Sequence, residues 1–117
     1  MYDKTLVKDI LLQIKEGISR IQKRIEPINS PDDFLSDDDG LTKLDGICMM
    51  LIAIGESLKN LDKITNKSLF VKYSSVDWKG AKGVRDVISH HYFDLDAEVI
   101  FSICRERIPG MAETLII

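Results

Sequence analysis

The chain has 117 residues, a formal charge of −3, 44% hydrophobic and 30% charged residues, the balance of a soluble globular domain. An acidic total excludes broad coating of nucleic acid, which needs a basic surface, while leaving room for a small basic site. No apolar run approaches the ~20 residues that span a bilayer, and the start Met1-Tyr2-Asp3-Lys4-Thr5 is unlike a signal peptide, so a cytoplasmic protein of one domain, residues 1–117, is expected.

Asp3 is placed to cap a first helix. The apolar residues Val7, Ile10, Ile14, Ile18, Ile21, Ile25 and Ile28 recur at three- and four-residue steps, which predicts an amphipathic helix with Pro27 near its end. Gly17 on that helix marks a close backbone approach. Ser30-Pro31-Asp32-Asp33 reads as a short helix start, with Ser30 as N-cap and Phe34 and Leu35 as apolar anchors. The acidic run Asp37-Asp38-Asp39 favours the positive end of a helix dipole over a metal site, because three adjacent carboxylates diverge.

A long helix is predicted from about Asp37 to Leu61, with a stripe of Leu41, Leu44, Cys48, Leu51, Gly55 and Leu58. Ile47, Ile52 and Ile54 widen it beyond one face, the mark of a central helix or one shared with a partner chain. Gly55 lets another helix come close; Glu56 either pairs with a basic group or is partly exposed. Ser68 to Tyr73 predicts one or two helical turns. Asp77 caps a helix from Trp78 to about Ser89 or His91, in which Gly80 and Gly83 point to tight packing. Asp94 or Asp96 caps a last helix through Ile108, broken or kinked at Pro109-Gly110, and Met111 to Ile117 forms a final apolar turn or tail. The expected fold class is all-α, an antiparallel up-and-down bundle of four to five principal helices. Cys48 and Cys104 lie singly in apolar helical patterns, as buried free thiols would.

Gly83 to Tyr92 contains the two histidines of the chain, with Arg85 five residues before His90 and Tyr92 two after it. A permanent cation, an imidazole that titrates near neutrality and a phenol suit work on a phosphate. Lys79 and Lys82 add positive charge, and Asp86 is placed to fix the guanidinium or an imidazole. On an ideal helix Arg85, Ser89 and Tyr92 share a face, whereas His90 lies roughly 140° around the axis from Arg85. Convergence of Arg85 and His90 therefore needs a bend at the histidines or a second copy of the chain. The plain structural alternative is an Arg85 ion pair, His90 and His91 as C-terminal caps, and Tyr92 as core. No third ligand accompanies the histidines, so no metal is expected.

Arg85-(four residues)-His90-His91-Tyr92 resembles the R-x4-H-x-Y motif of the HEPN superfamily (higher eukaryotes and prokaryotes nucleotide-binding), and of its HepT branch in particular. Ile54-Gly55-Glu56-Ser57-Leu58-Lys59-Asn60-Leu61, Val76-Asp77-Trp78, Gly83-Val84-Arg85-Asp86, Tyr92-Phe93-Asp94-Leu95-Asp96 and Ile108-Pro109 are similar to further family segments, so the resemblance covers nearly the whole chain. It implies a HEPN-like helical bundle and a homodimer with a composite cleft. It implies metal-independent RNA cleavage without a cofactor, with Arg85 and His90 as the catalytic pair and Asp86, His91, Tyr92 and Lys82 in support. It implies the toxin of a type VII-like toxin–antitoxin pair, silenced by a nucleotidyltransferase antitoxin that attaches AMP to Tyr92. The alternative is a non-catalytic nucleotide- or protein-binding helical partner of a nucleotidyltransferase.

Overall fold

The computed structural model describes residues 2–115. Helix α1 (Lys4–Ile25) starts as expected: Asp3 Oδ1 accepts from the backbone N–H groups of Thr5 and Leu6, at 2.9 and 3.2 Å. Its buried stripe runs Val7, Ile10, Ile14, Gly17, Ile18, Ile21 and Ile25. The helix stops two residues before Pro27, whose ring and missing N–H cannot continue the ladder. Ile28, expected on the helix, is beyond it and still buried.

Pro31–Phe34 forms a single 3-10 turn. Ser30 is extended and its side chain caps nothing; Asp33 instead accepts from Asn29 N–H at 2.8 Å. Phe34 is fully buried, but Leu35, expected beside it as an anchor, is 58% exposed.

Helix α2 (Asp38–Ile64) is capped by Asp37, whose Oδ1 accepts from Gly40 N–H at 2.7 Å. It runs a turn past the expected end. Its buried residues, among them Leu44, Ile47, Leu51, Ile54 and Leu58, lie on two faces, one against α1 and one against α3 (Trp78–His90). That double burial makes α2 the centre of the bundle and explains its widened apolar pattern. Leu41, expected to begin the stripe, is 40% exposed. Gly17 admits α1: a Cβ there would sit 3.3 Å from Ile54 Cγ1. The pairs Gly17–Ile54 and Arg24–Gly46 show that α1 and α2 run antiparallel.

A short 3-10 turn, Phe70–Lys72, is pinned to the start of α3. Trp78 stacks on Phe70 with centroids 4.3 Å apart, and its Nε1 donates to Tyr73 O at 2.8 Å. After α3, Asp96 caps α4 (Ala97–Ser102), a π turn spans Ile103–Arg107, and α5 (Ile108–Thr114) completes the rod. Pro109 does not break this rod. It falls in the first turn of α5, where no N–H is needed, and the wider π turn accommodates the change. Arg105 reaches from the π turn to donate to Ile28 O and, at 3.4 Å, to Ile25 O, which also accepts from Ile28 N–H at 2.9 Å, so the turn that ends α1 is tied to the π turn.

The fold is an all-α bundle whose core is one cluster from Val7 to Leu115. Cys48 and Cys104 are free and buried; burial raises their thiol pKa values to about 11 and about 12. No helix among the described residues is long and apolar enough to cross a membrane.

Candidate active site

The site is built on α3, and α3 is positioned by α2. Asp77 Oδ1 caps α3 by accepting from Gly80 N–H at 2.9 Å. A side chain on Gly80 would strike that same carboxylate, so this glycine serves the cap rather than a neighbouring helix. Gly83 faces open space, so the tight packing expected at both glycines is absent. It occurs instead at Gly55 on α2, where a Cβ would lie 2.7 Å from Arg85 Cβ and 3.4 Å from Ala81 O.

That close approach sets Arg85 against a pair of carboxylates. Its Nη1 donates to Asp86 Oδ1 at 2.9 Å, and its Nε lies against Glu56 Oε1 as an ion pair. The Nε–H is not aligned for a hydrogen bond there and is otherwise unsatisfied. Nη2 has no protein hydrogen bond among the described residues, and the side chain is 34% exposed. Asp86 also accepts from Lys59 Nζ at 3.2 and 3.4 Å. Hydrogen bonds from Arg85 first and Lys59 second hold the Asp86 carboxyl below the usual carboxylate range. Of its two expected roles Asp86 thus takes one, fixing the guanidinium and not an imidazole. Glu56 is at once half exposed and paired. Lys82, expected as local positive charge, is ion-paired with Asp62 of α2.

Tyr92 is off the helix. α3 ends at His90, His91 N–H donates to Val87 O at 3.1 Å, and Tyr92–Asp94 forms a 3-10 turn. Tyr92 is therefore not on the continuous helical face with Arg85 and Ser89; it turns to α2 and its hydroxyl donates to Asp45 Oδ1. Burial first, then that carboxylate, raises the phenol pKa well above its ordinary value. Asp45 and Glu56 are eleven residues apart on α2, about three turns and roughly 16 Å along one face. One helix thus meets both ends of the motif.

His90 is not brought to Arg85. The helix stays regular through His90, so the imidazole keeps its place roughly 140° round the axis. His90 and His91 are exposed, and neither side chain makes a hydrogen bond or ion pair among the described residues. The bend comes one residue too late to swing His90 back. His91 borders an apolar groove between α3 and α4, lined also by Val84, Val87, Leu95 and Val99. Among the described residues no three His, Cys, Asp or Glu side chains gather as metal ligands do.

The profile of the family described as HepT-like, Ribonuclease HepT-like, matches residues 14–116. The chain belongs to the HepT-like ribonuclease family. Among curated relatives, this HepT-like chain is similar to Putative RNase MJ0127 of Methanocaldococcus jannaschii, 38% identical over 60 residues, 51% of this chain and 46% of that one. It is similar to Putative RNase TTE0752 of Caldanaerobacter subterraneus subsp. tengcongensis, 38% identical over 58 residues, 50% of this chain and 48% of that one. A third, named Gamma-glutamylcyclotransferase and putative RNase MJ0434, also of Methanocaldococcus jannaschii, is 26% identical over 106 residues, 88% of this chain and 46% of that one. The chain spans about half the length of the curated relatives it matches. No solved structure matches.

Sequence reasoning missed Asp45, Lys59 and Asp62. Nothing local marks them; only the antiparallel register of α2 and α3 brings each to its partner.

Proposed function

We propose that this HepT-like chain is an endoribonuclease that cleaves RNA without a metal, the toxin of a toxin–antitoxin pair. The observation that carries the reading is the guanidinium of Arg85, held by Glu56 and Asp86 with Nη2 left for a phosphate. RNA supplies its own nucleophile. Its 2′-oxygen bonds to the neighbouring phosphorus as the P–O5′ bond breaks, and Arg85 stabilises the charge that builds on the phosphoryl oxygens. His90 serves as a general acid or base: a proton leaves the 2′-hydroxyl and a proton reaches the departing 5′-oxygen, giving a cyclic phosphate and a 5′-hydroxyl end.

Arg85 and His90 do not face one point within one chain, so the active pair is completed across a homodimer. Fully exposed Phe93, with Val87 and Val99 more than half exposed, supplies apolar surface near the motif for such an interface. The test is subunit mixing. Arg85→Ala and His90→Ala are each inactive alone in EDTA. Mixed, they regain about a quarter of wild-type activity, because half of the dimers are mixed and each carries one intact pair. No recovery on mixing refutes the shared site, and undiminished cleavage by His90→Ala refutes its role.

The same reading makes Tyr92 the point of control, where a nucleotidyltransferase antitoxin attaches AMP to the phenol. Its support is that Tyr92, the last residue of the motif, lies partly exposed at the surface. Intact mass of the chain co-expressed with a nucleotidyltransferase from its own genome, and of Tyr92→Phe likewise, tests it; an AMP adduct on Tyr92→Phe overturns it. A second reading, a non-catalytic helical partner of such an enzyme, is favoured by the exposed Phe93, Val87 and Val99. Stable complex formation by a wild-type protein that cleaves no RNA would decide for it.

A further inference from the structure

The geometry points to a groove beside Arg85 that binds the phosphate backbone of a single RNA strand. It rests on the ribonuclease reading above and names where the substrate lies. The groove, about 520 Å³, is formed by the end of α2 and the start of α3 and is lined by Lys59, Lys63, Lys67, Lys79 and Lys82 around Asp62. Asp62 is the one acid on its wall and is engaged by Lys82. Lys63, Lys67 and Lys79 are exposed and have no ion-pair partner among the described residues. This gathering of cations stands out in a chain whose total charge is −3.

Two features are hard to explain by folding alone. Lys63 in the last turn of α2 complements the negative end of that helix. Lys79 has no such excuse: it sits in the first turn of α3, at the positive end, where the turn itself carries no acid and the capping carboxylate of Asp77 is engaged by Gly80 N–H. The second feature is Lys67. The turn after α2 is closed by Lys67 N–H donating to Asp62 O at 2.8 Å, and Asn66 and Lys67 both adopt positive φ, 53° and 63°. Glycine would take that conformation freely, whereas a lysine takes it at a cost in free energy. Such strain persists where position matters, and here it sets a cation on the groove wall.

The groove leads to the reacting centre. Lys59 lines it and also holds Asp86, which holds Arg85. Lys59 and Lys63 are four residues apart, about 6 Å along α2. A row of cations ending at a poised guanidinium fits a chain of phosphates better than a single anion.

The experiment is fluorescence anisotropy of a labelled short single-stranded RNA with the whole chain, wild type against Lys63→Ala/Lys67→Ala/Lys79→Ala, over about 50–300 mM salt. We expect the triple variant to melt with the wild type, to bind about tenfold or more weakly, and to lose about two from the slope of log affinity against log salt, three contacts at about 0.7 each. Its KM for cleavage should rise with kcat unchanged. Equal affinity and slope in the two proteins, or no RNA binding by the wild type, overturns the groove. A labelled polyglutamate that binds as tightly and with the same lysine dependence overturns RNA as the occupant in favour of an acidic protein segment. Failure of the ribonuclease reading looks different: wild type that binds through these lysines but cleaves nothing. Cleavage by wild type and triple variant alike, with the same KM, sinks the groove and leaves that reading intact.

Discussion

Gly55 and Arg85 meet where no side chain fits: a Cβ on Gly55 would lie 2.7 Å from the Cβ of Arg85. The obstacle is the root of the arginine, which cannot retreat unless α3 moves as a whole. Gly55→Ala should therefore destabilise the fold by about 1–3 kcal/mol, although alanine favours helix over glycine. Urea unfolding followed by the fluorescence of Trp78 at the head of α3 measures this. An equal or higher midpoint would show that α3 can shift at no cost.

The carboxylates around Arg85 should matter for rate and hardly for stability. Glu56 and Asp86 have side chains about half exposed, and exposed ion pairs contribute little to stability. Their orienting effect on the guanidinium is another matter, since misplacing a reacting group costs up to about 100-fold. The double variant Glu56→Gln/Asp86→Asn should keep its melting temperature to within a few degrees and lose on the order of 10- to 100-fold in kcat. Loss of both quantities together would assign the pair a structural role.

The helices were legible because their apolar spacing is a local property: α1 and α3 start where their capping aspartates predicted, and α2 starts at the acidic run expected at its positive end. The short turns were less so. Leu35 looked like an anchor from its chemistry, but only tertiary packing decides that Phe34 goes inward and Leu35 outward. The candidate site was half legible. Its motif residues stand in sequence order, while Asp45, Lys59 and Asp62 acquire meaning only through the register of α2 against α3. Gly83 misled for a related reason, since a glycine announces permission for close packing without requiring it.

The Tyr92 phenol gives a pH prediction. Its folded pKa is raised, so the contribution of its proton to stability is complete below the unfolded value of about 10 and is lost as pH rises through the folded one. Tyrosinate absorbance against pH should show a late phase that Tyr92→Phe removes. Asp45→Asn should bring that phase to lower pH but not to the ordinary value, because burial is the larger cause and remains. A phase unmoved by Asp45→Asn would show that the carboxylate does not hold the phenol.

The two cysteines offer a clock for unfolding. Burial keeps both thiols protonated to about 11 and about 12, so neither presents a thiolate near pH 8. The stability that the neutral thiols contribute is complete below about 8.5 and is lost as pH climbs through those raised values. A thiol reagent should label the native chain only as fast as it opens, and fully in urea. Prompt labelling of either cysteine at neutral pH would contradict its burial.

The bond from Tyr92 to Asp45 also makes the phenol a clasp. It ties the turn after α3 to the central helix through one proton, and a group attached to the oxygen takes that proton away. Asp45 would then face an oxygen that cannot donate and, with a nucleotide, a second negative charge. Modification at Tyr92 would thus unfasten the turn as well as mark it. Hydrogen exchange at residues 92–94 should accelerate in modified protein and in Asp45→Ala alike; unchanged exchange in both would show that the turn is held by something else.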